Sequence, residues 1–378
     1  MQKIRAFPVV KAIPWISAEQ PPWRFPEMFF FRKKPSQPRR LIILNPAARR
    51  GDGLFEFEKV KSALREKLTD FDLYITRGPQ DASHRTREAL LGRTHDQIIA
   101  AGGDGTINEV LNGYFDGNRL LSRKVPLGVI DLNSGADFIR TLLELSDGYT
   151  VALQQNRWIW ADIGQVELLP ILDLPLPTNS KQRKDFERTI RNLKKEMQIQ
   201  RRLFINIASS GMSGHIVRSL FRSRLQTGAF AYYYHSLKTY LTHKSTTARV
   251  LYCRDEKSPW EELSGTLLNL FVCNGRYNGG GMLWAPPAYL DDGYFHAVHM
   301  TPAPTYKMLW GSRHFYDGLV DEIPGVQSFQ AKRILLIPTI TMDSETDGEI
   351  LPMMGVEGAP AARMLLYSVI PKSIPLVL

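Results

Sequence analysis

An apolar run, Ile98 to Ala101, stops abruptly at Gly102-Gly103. Asp104 and Gly105-Thr106 follow, and then Ile107, Val110 and Leu111 recur on one helical face. A chain with this order is committed to a strand, a glycine turn and a helix start. Glycines let the backbone turn with φ > 0 and let a phosphate reach main-chain N–H groups without a Cβ in the way. The start of the helix adds unpaired N–H donors and a partial positive charge. Asp104 repels phosphate and needs Mg²⁺ or a hydroxyl between them, so the segment points to a nucleoside triphosphate with its metal. Taken alone, Gly-Gly-Asp-Gly is also an ordinary turn.

The 378 residues, 43% of them hydrophobic, suit two domains. Cys253 and Cys273 sit in apolar strand-like runs and read as buried thiols rather than a disulfide or metal site. No 18-residue apolar stretch offers a membrane span, and Pro8, Pro14, Lys3, Arg5 and Lys11 break up the N-terminus. A cytoplasmic, peripherally membrane-associated protein is therefore expected. The net charge of +10 is unevenly placed: residues 1–40 carry +7 and residues 181–202 carry +6, which leaves about −3 for the rest. Such appendages suit nucleic acid or an anionic membrane.

From residue 40 the pattern alternates. Strands are expected at Leu41–Leu44, Phe71–Thr76, Ile98–Ala101 and Leu127–Ile130, with helices between them. This argues a Rossmann-like parallel α/β domain over residues 40–157, with ligands beyond the carboxyl ends of its strands. From about 158 the grammar changes to β-like runs at 203–208, 248–253, 266–273, 294–299, 333–338 and 364–370. These predict an antiparallel β-sandwich-like domain over 158–378, with the C-terminal segment free to pack back on the first domain. Residues 1–39 read as a basic, aromatic extension. Residues 181–202 read as a basic helical insertion whose Phe186, Ile190, Leu193 and Met197 form one apolar stripe, packed on the body or lying on a membrane surface.

The longer string, Gly-Gly-Asp-Gly-Thr with Asn108-Glu109-Val110 and Asn112-Gly113, resembles the nucleotide motif of the diacylglycerol kinase catalytic-domain family. That family includes soluble bacterial lipid kinases and relatives of sphingosine and ceramide kinases. The shorter core is shared with NAD kinases. The resemblance covers residues 40–378. It implies ATP contacts at Asn45, Pro46, Thr76, Gly102, Gly103, Asp104, Gly105, Thr106, Glu109, Ser134 and Gly135. The third loop departs from the family pattern at Asn133 and Ala136 but keeps Asp137, a candidate for binding substrate.

In the second half, Asn274-Gly275 with Gly279-Gly280-Gly281-Met282, then Leu290-Asp291-Asp292-Gly293, matches the same family. Three consecutive glycines weaken a strand, so they suggest close backbone approach to a ligand such as lipid. The resemblance places a structural Mg²⁺ at the Asp-Asp-Gly turn, with Asp292 as its ligand, and a second metal role on Asp104. Asp347-Gly348-Glu349 supplies a carboxylate to the cleft between the domains; Asp347 is the expected base and Asp104 the organiser of Mg-ATP. The expected activity is transfer of the ATP γ-phosphate to a hydroxyl of a membrane lipid, most simply a diacylglycerol-like one. Alternatives are a sphingosine- or ceramide-type kinase, an NAD kinase-like enzyme and a lipid-binding pseudokinase. The expected partners are a membrane lipid and an anionic membrane surface, without nucleic acid. Oligomeric state stays open, a dimer among the options.

Overall fold

Three loops of the first half open at one edge because the strands that carry them end in register. The computed structural model describes residues 37–132, 137–196, 200–222, 229–255, 257–351 and 363–378, so the basic extension, Asn133–Ala136 and Met197 lie outside the described residues. Strands β1 (Arg40–Leu44), β2 (Asp72–Ile75) and β3 (Gln97–Ala101) alternate with helices α1 (Gly53–Leu68), α2 (Asp81–Gly92) and α3 (Asp104–Gly113). A short hairpin, β4 (Phe115–Asp116) and β5 (Arg119–Leu120), leads to β6 (Leu127–Ile130), α4 (Asp137–Leu145) and α5 (Tyr149–Gln155). The four principal strands pair in parallel in the order β2-β1-β3-β6. Leu44 pairs with Ala101, and Ala101 with Ile130, so the chain leaves β1, β3 and β6 side by side. Strands β1, β3 and β6 are buried along their whole length, as befits the interior of a parallel sheet, whereas β2 at the edge is partly exposed.

The second half contains β7 (Trp158–Pro170), α6 (Ser180–Glu196), β8 (Gln200–Phe204), β9 (Ile207–Gly211), α7 (Met212–Arg222) and α8 (Ala229–Thr242). Strands β10 (Thr246–Cys253), β11 (Glu261–Leu267) and β12 (Asn269–Cys273) follow, then a hairpin of β13 (Tyr277–Asn278) and β14 (Met282–Leu283), and β15 (Phe295–Met300). The chain ends with α9 (Thr305–Gly311), α10 (His314–Asp317), β16 (Val326–Ala331), β17 (Arg333–Pro338), β18 (Ser344–Thr346), β19 (Glu349–Ile350) and β20 (Arg363–Val377).

An antiparallel six-stranded sheet, β16-β15-β12-β9-β18-β19, packs against the antiparallel part of a ten-stranded sheet. Val166, Phe204, Val272, Phe295, Leu336 and Tyr367 lie in the core between them. The ten-stranded sheet is continuous with the parallel strands. Strand β20 pairs antiparallel with β17 and β7 along its length, and its end pairs parallel with β6 at Leu376 and Leu127.

Two of the expected apolar runs are each two strands. Residues 203–208 leave β8 at Phe204 and enter β9 at Ile207, crossing from one sheet to the other; residues 266–273 cross likewise between β11 and β12. Each crossing is marked only by one buried asparagine, Asn206 or Asn269, within an otherwise apolar run, because both sheets face the same core. The stripe of α6 is spent on the body: Phe186 and Ile190 are buried with Leu169, Trp260 and Leu335.

Candidate functional site

The site grows from the N-terminus of α3. Gly103 caps this helix with φ −87° and ψ −176°, an extended conformation open to any residue. Gly102 and Gly105 are not left-handed either. The expectation that these glycines supply positive φ is corrected; two of them supply space. A Cβ on Gly102 would stand 2.5 Å from Thr106 Oγ1, and one on Gly105 would stand 2.6 Å from Glu349 Oε1. Thr106 Oγ1 accepts a hydrogen bond from Asn45 Nδ2 at 3.0 Å, and Asn45 Oδ1 accepts from Ala47 N, so the turn carrying Pro46 is fastened to the glycine turn.

Asp104 holds the next element. Its Oδ2 accepts from Asp137 N at 2.9 Å and its Oδ1 from Phe138 N at 3.1 Å, which satisfies the first amides of α4. Burial and the neighbouring Asp137 push Asp104 well above the usual carboxylate range. Asp137 in turn accepts from Gly280 N at 2.8 Å and Gly281 N at 2.7 Å. Gly279, Gly280 and Gly281 all have positive φ, +74°, +83° and +99°, so successive amides converge on one anion. That anion is a carboxylate of the chain itself. The triple glycine, expected to approach lipid, is used by Asp137, and burial leaves Asp137 raised to about 6.

Asp347 has a similar role. Its backbone is left-handed, φ +48°, and its side chain is buried. Oδ1 accepts from Asn206 N and Ile207 N at 2.9 and 3.1 Å; Oδ2 accepts from Ile205 N and Asn108 Nδ2 at 2.9 and 2.8 Å. Four donors fill the acceptor sites of the carboxylate. These amides belong to the β8–β9 crossing, which has no ladder partner for them, so Asp347 takes the place of a strand. Burial raises its pKa to about 6 against the lowering effect of Asn108 and the three amides. The position expected to be the proton acceptor is thus a buried knot.

Sequence reasoning passed over Glu349. It is half-buried on β19, its carboxylate reaches the space over Gly105, and burial raises it while Arg202 opposes and Glu109 adds to the rise. Asp347 and Gly348, both with positive φ, form the two-residue turn between Thr346 and Glu349, so Glu349 opens β19 while Asp347 stays in the turn. Asn108 and Asn112 belong to the motif but were given no role of their own. At helical spacing i, i+4 they both reach Leu203 O on β8, at 2.9 and 3.3 Å.

The other expected residues lie further out. Thr76 is buried and its amide bonds Leu44 O. Glu109 accepts from Gln80 N at 3.0 Å, ahead of α2. Ser134 and Gly135 lie outside the described residues. Asp292 sits before β15, where Oδ1 accepts from Tyr294 N and Oδ2 lies 3.4 Å from His296 Nε2. Asp162 on β7 approaches the same turn, accepting from Gly293 N and Lys372 N. Among the described residues no group of three or more His, Cys, Asp or Glu is arranged to hold a metal.

With this geometry, residues 39–166 match the diacylglycerol kinase catalytic domain, and residues 206–378 match the YegS C-terminal NAD kinase beta sandwich-like domain. Residues 39–166 belong to the diacylglycerol kinase catalytic-domain family. It is 29% identical over 274 residues to a diacylglycerol kinase of Bacillus subtilis (strain 168), covering 70% of this chain and 74% of that one. It is 26% identical over 293 residues to a protein of Klebsiella pneumoniae (strain 342) named a probable YegS-like lipid kinase, covering 77% and 84%. The fold is that of a crystal structure of a diacylglycerol kinase from Bacillus anthracis str. Sterne, with a TM-score of 0.55 at 18% identity over 91% of this chain and 98% of that one. Membership makes the chain a lipid kinase, and kinases of this family use ATP.

Proposed function

We propose that the enzyme transfers the γ-phosphate of ATP to the free hydroxyl of a diacylglycerol-like lipid, with Glu349 as proton acceptor. The observation that carries this reading is the carboxylate of Glu349 standing over Gly105 at the start of α3. Phosphates favour a helix start, where main-chain N–H groups and the helix dipole act together. A base over that spot is within reach of a hydroxyl aligned on the terminal phosphorus. The hydroxyl oxygen forms the new P–O bond, ADP leaves with the old bridging oxygen, and the hydroxyl proton passes to Glu349. Asn108, Asp347 and Asp137 position these parts without touching the reacting atoms.

The donors suit Mg²⁺. Asp104 and Asp137 are neighbouring hard-oxygen groups, and each is held above the usual carboxylate range in part by nearby negative charge. A divalent cation relieves such repulsion. Asp104 is the residue that would hold it, and the ion would neutralise charge on the phosphates. Asp292 has its oxygens on Tyr294 and His296, and here it is assigned to shaping the turn.

A nearly wholly apolar cavity of about 70 Å³ supports a substrate with hydrocarbon chains. Met212, Ile216, Leu237, Phe271, Met300 and Phe315 are among its walls. Met282 lines it as well, one residue past the triple glycine that grips Asp137. Transfer of labelled phosphate from ATP to a panel of diacylglycerol, sphingosine, ceramide and NAD is the test. Diacylglycerol is expected to be the best acceptor, and Leu237→Trp to impair long-chain more than short-chain substrates. Preferred phosphorylation of NAD, or equal loss on both chain lengths, would overturn the assignment.

A further inference from the structure

A lipid kinase without a membrane span among its described residues must meet the bilayer at its surface. The basic helix α6 offers charge only, because Phe186 and Ile190 are already buried against the body. The exposed apolar side chains lie elsewhere. Tyr306 and Trp310 are 69% and 73% exposed, and they stand one turn apart on α9. Leu241 on α8 is 61% exposed. Both helices wall the apolar cavity, through Leu237 and Tyr240 on α8 and Met308 on α9. They are joined directly, since Tyr240 OH donates to Ala303 O just before α9.

Charge agrees with this placement. Residues 234–244 and 305–313 contain Lys238, Lys244, Lys307 and Arg313 and no Asp or Glu. All four cations are exposed, and the Arg313 guanidinium lies 5.0 Å over the Trp310 ring. Trp and Tyr prefer the headgroup level of a bilayer, where an apolar ring and a polar edge are both satisfied, and Lys or Arg beside them attract anionic lipid.

We propose that the α8–α9 surface, led by Tyr306 and Trp310, is the face with which the enzyme docks on an anionic phospholipid bilayer, setting the apolar cavity beside the lipid. This rests on the lipid-kinase reading for its purpose, but vesicle binding is measurable without catalysis. The full chain is co-sedimented with phosphatidylcholine vesicles, with and without phosphatidylglycerol, in the absence of ATP. The wild-type chain binds the anionic vesicles better. Tyr306→Ser with Trp310→Ser lowers that binding about tenfold or more. Leu91→Ser, which removes a comparably exposed apolar side chain on α2, leaves it unchanged. Thermal melts identify any variant that fails to fold. Vesicles of brominated lipid quench the tryptophan emission of the wild-type chain, and Trp310→Phe loses most of that quenching while still binding. A double variant that folds and binds as wild type, or quenching unaltered in Trp310→Phe, overturns the proposal. Loss of kinase activity toward every lipid in the panel would count against the functional reading and leave the vesicle result standing.

Discussion

Asn108 and Asp347 are separated by 239 positions in the chain, yet Asn108 Nδ2 donates to Asp347 Oδ2 at 2.8 Å in the buried interior. One partner lies on the helix whose N-terminus forms the glycine turn. The other closes the crossing of β8 into β9. Their contact fixes the first half of the molecule to the second, and it leaves Glu349, two residues on, to project toward Gly105. Asp137 and the Gly280–Gly281 amides make a second such clamp. In both, a carboxylate of one segment is held by main-chain N–H groups of another.

Asp347→Asn is expected to act on stability before it acts on chemistry. An amide turns one acceptor oxygen into a donor, and that NH₂ would face donors already present at Ile205, Asn206, Ile207 and Asn108. Losing such a buried arrangement costs on the order of 2–5 kcal/mol. Chemical denaturation of the variant should show a clearly lower midpoint. A variant as stable as wild type but catalytically dead would return Asp347 to the role of base.

Glu349→Gln is expected to remain folded and to bind ATP normally while turnover falls about 10²–10⁴-fold, the usual contribution of a general base. Burial holds Glu349 above the ordinary carboxylate range. As a base it must be ionised, so wild-type kcat should rise with pH through that raised value, and the acidic limb should vanish in the residual activity of Glu349→Gln. Steady-state rates across pH together with calorimetric ATP titration check both halves of the statement.

Gly105→Ala separates position from fold. The new Cβ would meet the far end of the Glu349 side chain, at 2.6 Å from Oε1, and no backbone stands in its way. The side chain can swing aside, so stability should change by about 1 kcal/mol or less. Activity should fall about tenfold or more because the base is displaced. Gly281→Ala is the contrast. Its φ of +99° penalises any side chain, so stability should drop by about 1–3 kcal/mol. Denaturation midpoints and kcat for the two variants should therefore move in opposite proportion.

The parallel half was legible because its signals are local: β1, β3 and β6 are short apolar runs, and the turn after β3 is written in four adjacent residues. The antiparallel half was legible as β structure but not as two sheets. The crossing at Ile205–Asn206 hides inside one apolar run, and it is explained only by Asp347, far along the chain. Asp137 and the triple glycine were both singled out in the sequence, but their contact with each other was not legible across 143 positions. The placement of Glu349 against Gly105 was not legible, because it depends on the turn at Asp347-Gly348 and on a contact with a helix more than 200 residues earlier.

Glu345 should make stability depend on pH. It is buried on β18, where Ser209 Oγ donates to Oε1 and Gly348 N donates to Oε2 at 2.8 Å. Burial nevertheless raises it to about 7 from an ordinary value of 4.5. The folded state therefore holds this proton more tightly than the unfolded chain does. Its stabilising effect is fully present below the ordinary carboxylate range and is lost as pH rises through about 7. Asp137 and Asp347, each raised to about 6, act in the same direction. Melting temperature should then fall between about pH 5 and about pH 8, with Glu345 accounting for roughly 3 kcal/mol at most. Glu345→Gln carries no titrating proton. Its amide oxygen can still accept from Gly348 N while its NH₂ turns to Ser209 Oγ, so it should lose less stability than the wild-type chain on the way from pH 5 to pH 8. Thermal melts of both proteins over this range decide the matter, and parallel curves would mean that Glu345 keeps one protonation state throughout.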